Sequence, residues 1–286
     1  MSLPPAISMV DAHVHFWDAQ RLAYPWLAGV AALNRAFLPA DYVAAAKPAE
    51  AGKLIFVECG CPAAAARDEV GWVTELAEGE PRLRGIVAQA AVERGSRVSD
   101  ELAALARNPL VKGVRRNLQD ETDANFCRRP EFIEGVRELA KHGFTFDLCI
   151  VAGQLPGVTE LVRGCPEVFF VLDHCGKPAI RDRRPDPWRQ HLRKLAALPN
   201  VACKISGLVT EASPEKCGVE ELRPYIAHAV ECFGFDRVLF GGDWPVCNLA
   251  CSFTDWLGAL EQGLAGASAA NLAGLFQTNA ERIYRV

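Results

Sequence analysis

Short, nearly continuous apolar runs alternate along this chain with longer stretches in which apolar residues recur every three or four positions. The runs cover residues 9–15 (MVDAHVH), 54–58 (LIFVE), 85–90 (GIVAQA), 111–115 (VKGVR), 145–150 (TFDLCI), 168–174 (VFFVLDH), 201–206 (VACKIS) and 237–243 (RVLFGGD). Such runs suit strands buried on both faces of a parallel sheet. Between them, residues 63–78 place Val70, Val73, Leu76 and Ala77 on one helical face. Residues 130–142 do the same with Phe132, Ile133, Val136, Leu139 and Ala140, and His142-Gly143 makes a helix stop. Residues 188–198 and 221–232 repeat the pattern, 181–188 (RDRRPDPW) read as a loop, and 258–274 read as the last helical region. Strand and helix alternating eight times predict an α/β fold, a single (β/α)8 TIM barrel over residues 1–286. The rival, a doubly wound open sheet, would carry a Gly-rich phosphate loop after an early strand, and the chain has none.

Composition narrows the picture. Half of the 286 residues are hydrophobic, and 31 Lys and Arg against 35 Asp and Glu leave a net charge of −4 with no basic block. Nucleic acid is therefore not the expected partner. No apolar run reaches membrane-spanning length, and the opening residues lack the basic and apolar segments of a leader, so no membrane association is expected. The eleven cysteines are odd in number, and several lie in apolar runs. That reads as reduced thiols in a cytoplasmic protein rather than a disulfide framework. Self-association is left open.

In a barrel, function belongs at the C-terminal ends of the strands. Those ends carry His13 and His15, Glu58, Gln89, Arg115, Asp147, Asp173 with His174, Lys204 with Ser206, and Asp243 with Trp244. His13 and His15 share a strand face, so two imidazoles can grip one ion. With His174 and Asp243 at other strand ends, the set suits a catalytic divalent metal, zinc or alternatively manganese, or metal-free general-base chemistry at Asp243. Arg115, Arg116, Lys177 and Lys204 could hold a carboxylate or polarise a carbonyl. Glu58 offers a hydrogen-bond acceptor, and Trp17, Trp26 and Trp244 offer aromatic walls for a sugar face. Cys59, Cys61 and Cys247 have no histidine beside them in sequence and are set aside as nucleophiles.

The strings DAHVHFWD, YPWL, VKGVRRNLQDE, VLDHCGKP, NVACKISGLVTEA, FGFDRVLFGGDWPVC and NAERIYR follow in order from about residue 10 to the C-terminus. Together they resemble the sugar-acid lactonase group of the amidohydrolase superfamily, the group of the L-fuconolactonases and L-rhamnonolactonases. The resemblance implies a (β/α)8 barrel that hydrolyses an aldono-1,4- or 1,5-lactone. It also implies metal ligation by His13, His15, His174 and Asp243. The expected step is attack of an activated water, with Asp243 as general base. The metal, Arg115 or Lys204 would stand at the oxyanion, and His174 beside it. Related lactonases of aromatic degradation work without metal, so a metal-free route stays open. So do a non-sugar lactone (muconolactone- or pyrone-carboxylate-like) and metal-dependent decarboxylation on the same scaffold. The chain departs from the group in reading VECGC after the second strand, Arg115-Arg116 in the fourth-strand motif, and Gly241-Gly242 before Asp243.

Overall fold

The computed structural model describes residues 7–213 and 218–286; the first residues read for a leader, and Cys217, lie outside the described residues. Eight strands run β1 Val10–Val14, β2 Lys53–Val57, β3 Leu83–Gln89, β4 Val111–Arg115, β5 Thr145–Leu148, β6 Phe170–Leu172, β7 Val201–Ile205 and β8 Val238–Phe240. They pair in parallel, in sequence order, in one sheet. Past the end of β8 the sheet meets β1 again: Asp243 N donates to His13 O at 2.8 Å and His15 N to Trp244 O at 2.8 Å. This is the (β/α)8 barrel that the alternating pattern predicts. Among the described residues, no helix is long and apolar enough to cross a membrane.

The helical expectations hold in kind and shift at their ends. The helices are Ala66–Gly79 behind a 3-10 turn, Pro130–Glu138 with a 3-10 end at Leu139–His142, Trp188–Ala196 and Val219–Phe233. The last helical region is not the unbroken 258–274. It divides into Phe253–Gly263 and Ala269–Ala273 and then continues to Tyr284. Ser252 and Ser268 set the two starts, each accepting a hydrogen bond from the backbone N–H three residues on.

The N-terminal half of the barrel interior is apolar. Val10, Ala12, Ile55, Val57, Val171 and Leu239 pack there against Ala280, Ile283 and Tyr284 of the terminal helix Asn279–Tyr284. The NAERIYR string thus serves to plug the barrel's lower end. The upper half is polar, and β1 makes the transition. Ala12 packs in the apolar layer, while the neighbouring His13 also reaches the interior, toward Asp173 and Lys204. Two successive inward side chains break strand alternation, and the pairing of β1 with β2 shifts register between Asp11 and Val14.

Asp11 faces outward and binds the seam. Its Oδ1 accepts from His13 N (3.0 Å) and Gly242 N (2.8 Å), and its Oδ2 from Tyr42 Oη (3.0 Å). Asp11→Ala orphans these buried donors, and we expect a loss of about 3–5 kcal/mol in urea unfolding; a loss under about 1 kcal/mol would contradict this role.

A second buried acid supports the turn after β2. Glu69 Oε1 accepts from Cys59 N (3.2 Å) and Tyr24 Oη (3.1 Å). Burial, then the nearby Glu58, pushes Glu69 from the ordinary 4.5 up to about 8. The protonated form is thereby tied to the folded state. Its contribution is complete below the unfolded value and is lost as pH rises through the folded one. Wild-type Tm should therefore fall between about pH 5 and 8, and Glu69→Gln should flatten that fall and raise Tm by about 3–6 °C at the alkaline end. A parallel pH profile in the variant would refute the assignment.

Candidate active site

A cleft of about 410 Å³ opens at the C-terminal end of the barrel, lined among others by His15, Trp17, Trp26, Glu58, Arg115, His174, Lys177 and Asp243. The backbone brings the chemistry here at some cost. His174, Cys175 and Lys177 after β6, and Asp243 after β8, take left-handed conformations with φ of 55°, 51°, 46° and 52°. Such residues leave the strand ladder, which is why β6 and β8 end earlier than their apolar runs. Strain of about 1 kcal/mol or more per residue is typical of groups held for a task. Two glycines give the imidazoles room. A Cβ on Gly207 would stand 2.4 Å from His174 Nδ1, and one on Gly241 would stand 2.7 Å from His13 Cβ.

Three donor atoms form a triangle. His13 Nε2 and His15 Nε2 are 3.2 Å apart, and Asp243 Oδ1 lies 3.4 Å from the second and 3.7 Å from the first. His174 joins through ligand atoms within 4.8 Å of those of His13 and Asp243. The other side of each ring is engaged. His15 Nδ1 donates to Val57 O at 2.8 Å, His13 Nδ1 faces Asp173 Oδ1 at 3.3 Å, and His174 Nδ1 pairs with Ser206 Oγ at 2.9 Å. His15, with its proton on Nδ1, turns its Nε2 lone pair toward this group, and a His13 protonated on the Nδ1 that faces Asp173 would do the same. Tetrahedral zinc at about 2.0–2.1 Å from each donor spaces the donors by about 3.3–3.4 Å. The donor set fits such an ion.

The electrostatics agree with neutral His13 and His174 rings around an ionised acid. Burial pushes His13 well below its ordinary value and His174 down to about 4. Burial would raise Asp243, but His174, His15 and His13 more than reverse it and hold the carboxyl well below the usual range. Asp173 is likewise held down, against burial, by Lys204, His13 and Arg115.

Several expected groups stand elsewhere than the strand-end reading placed them. Lys204 lies beneath the cleft, fully buried, with Nζ 2.6 Å from Asp147 Oδ2, 3.0 Å from Asp173 Oδ1 and 3.3 Å from His13 Nδ1. It holds other site residues and touches no substrate space. Arg116 points out of the barrel, to Glu93 at 3.0 Å and Glu121 at 2.6 Å, because side chains alternate and Arg115 takes the inward face. Trp244 is buried among Phe16, Phe37 and Tyr42 and forms no wall of the cleft. Trp17 and Trp26 do line it, edge to face, with Trp26 Nε1 donating to Cys59 O at 2.8 Å. Lys177 reaches the cleft and donates to Gln119. Cys59 Sγ lies 3.6 Å from His15 Nδ1, a neighbour that the sequence did not show, but burial pushes its thiol far up and it is no nucleophile.

The sequence reading passed over Asn117, Gln119 and Thr210, which also line the cleft. Asn117 and Gln119 sit on the segment after β4 and Thr210 on the short helix Leu208–Glu211 after β7, beyond the strand ends that the spacing locates. It also passed over Tyr284, whose Oη donates to Asp147 Oδ2 at 2.7 Å from the far end of the chain.

Residues 10–286 match the family model described as Amidohydrolase. The chain is 34% identical to the L-fucono-1,5-lactonase of Burkholderia multivorans, over 96% of this chain and 95% of that protein. It is 30% identical to the L-fucono-1,5-lactonase of Burkholderia ambifaria, over 88% and 87% respectively. A solved amidohydrolase from B. multivorans with bound zinc superposes with a TM-score of 0.87 at 34% identity, over 97% of this chain and 99% of that one. Matched from the first strand to the last residue, and carrying its donors on the strand ends of the same barrel, the chain belongs to the amidohydrolase family.

Proposed function

We propose that this protein is a lactonase that opens the cyclic ester of a sugar-acid lactone, an aldono-1,4- or 1,5-lactone, by attack of water, with Asp243 as general base. The observation that carries the reading is the Asp243 carboxylate set among the imidazoles of His13, His15 and His174 at the floor of a cleft. Lactonase relatives that match nearly the full chain support it. The cleft suits an uncharged polyol: Asn117, Gln119 and Thr210 offer neutral hydrogen-bonding groups, and Trp17 with Trp26 offers an apolar face. The free thiols of Cys149, Cys175 and Cys203 support a cytoplasmic setting.

Asp243 accepts a proton from water as the water oxygen bonds to the lactone carbonyl carbon. It returns that proton to the ring oxygen as the carbon–oxygen bond breaks, so the net product is a hydroxy acid that releases acid at neutral pH. Burial makes His13 and His174 poor proton acceptors, and the Asp243 carboxylate faces the cleft as the acceptor. A carboxylate is a weak base toward water, so a more acidic attacking water eases the step. A divalent ion, zinc or manganese, held by His13, His15, His174 and Asp243, would supply that Lewis acidity. Asp173 stands behind His13, 3.3 Å from Nδ1, and Lys204 pairs with Asp173 at 3.0 Å, so the two position the ring.

A pH-indicator assay over aldono-1,4- and 1,5-lactones tests the reading. Wild type should release acid, and Asp243→Asn should lower kcat by about 10²–10⁴-fold. A variant within tenfold of wild type would remove Asp243 from the reaction. Chelator-treated enzyme should lose activity and regain it with zinc or manganese. Full activity in protein shown metal-free by elemental analysis would leave Asp243 acting without an ion.

A further inference from the structure

We infer that Glu58 is a specificity-determining residue: by neutralising Arg115 inside the cleft it selects uncharged lactones over lactones bearing a carboxylate. The inference rests on the lactonase reading and concerns which lactone the same site accepts.

Arg115, at the end of β4, is the cation set deepest among the cleft-lining groups. Its Nε donates to Glu58 Oε1 at 2.7 Å, its Nη2 to the Glu58 carbonyl at 2.6 Å and its Nη1 to Asp173 Oδ2 at 3.2 Å. Nη1 also stands 3.4 Å from His13 Nε2. Arg115 and Glu58 side chains are only 6% and 2% exposed, so water does little to screen the pair. Glu58 is fixed on its other side as well, with Oε2 accepting from Gly60 N at 2.7 Å. Little of the guanidinium is left to grip a ligand anion in the bidentate way that makes arginine a carboxylate receptor.

Apart from Asp243, taken up at the cation position, the acids Glu58 and Asp120 line the cleft against Arg115 and Lys177, so these four leave no excess of positive charge. Lys177 already donates to Gln119. A carboxylate on the substrate would meet Glu58 beside the arginine that should have received it. Like charges juxtaposed in this way exclude a partner more effectively than a missing contact does. A hydroxyl or methylene group in the same place carries no such penalty.

Glu58→Gln keeps the shape and an acceptor for Arg115 Nε but removes the negative charge. The test pairs an aldono-1,4-lactone with the aldaro-1,4-lactone that differs by a terminal carboxylate. Wild type should favour the uncharged lactone in kcat/KM by about tenfold or more, and E58Q should reduce that ratio by about tenfold or more. Calorimetric titration with succinate provides a readout independent of turnover, and E58Q should bind it about tenfold more tightly than wild type. The double variant Glu58→Gln/Arg115→Gln removes the pair as a unit and should lose the gain.

Wild type that turns over the aldarolactone as well as the aldonolactone would overturn the inference. So would E58Q with both readouts within twofold of wild type, or a double variant that keeps the gain. If E58Q does not fold, the wild-type ratio decides alone. If neither lactone is turned over while succinate binding shifts as described, the lactonase reading falls and the charge assignment stands.

Discussion

The site depends on the seam where the barrel closes. A sheet of eight parallel strands must bring its last strand back to its first, and here the closing hydrogen bonds join Asp243 N to His13 O and His15 N to Trp244 O. Paired backbones this close put the side chains that turn inward within a few ångströms of one another. The register shift in β1 then turns His13 inward above Ala12, and the left-handed turn at Asp243 aims its carboxylate at the same point. Asp11 ties both segments from the outer side. The grouping of His13, His15 and Asp243 is thus a consequence of closing the ring.

Closure also buries charge, and the structure answers with compensation. Asp147, Asp173 and Glu58 face Lys204 and Arg115 within the upper barrel, each at hydrogen-bonding distance from a partner. Buried ion pairs of this kind add little net stability, because desolvation offsets most of their attraction, but losing one partner is costly. Their value here is positional. Asp173 touches His13, Lys204 and Arg115 at once, so the orientation of one imidazole is set by groups from β1, β4, β6 and β7. Tyr284 extends the same network to the end of the chain through Asp147. The terminal helix that plugs the barrel is therefore linked by hydrogen bonds to the floor of the cleft.

Much of this was legible in the sequence. The barrel followed from eight apolar runs, each of which contains or largely overlaps an observed strand. His13, His15, His174 and Asp243 were found because strand ends are a position that sequence spacing can locate. What spacing could not supply was which way a side chain points once strand alternation is broken or the chain leaves the ladder. Arg116 alternates outward beside Arg115, Trp244 turns into an aromatic cluster behind the seam, and Lys204 stops one layer below the cleft. Nor could it show contacts made across the fold, such as Glu58 with Arg115 across 57 positions, or Tyr284 with Asp147 across 137. Those contacts change the reading of Arg115 from a free cation to a compensated one.

The seam gathers three donors, His13, His15 and Asp243, and the turn after β6 adds His174, around one cation position. Two Nε2 lone pairs 3.2 Å apart beside an ionised carboxylate oxygen call for a positive partner between them. The most direct measurement is anomalous diffraction at the zinc edge from crystals of the zinc-loaded protein. The account predicts one strong peak within coordination distance of His13 Nε2, His15 Nε2 and Asp243 Oδ1, with His174 completing the set. A zinc peak only elsewhere, for example on the thiol of Cys149, or none at full zinc loading, would contradict it.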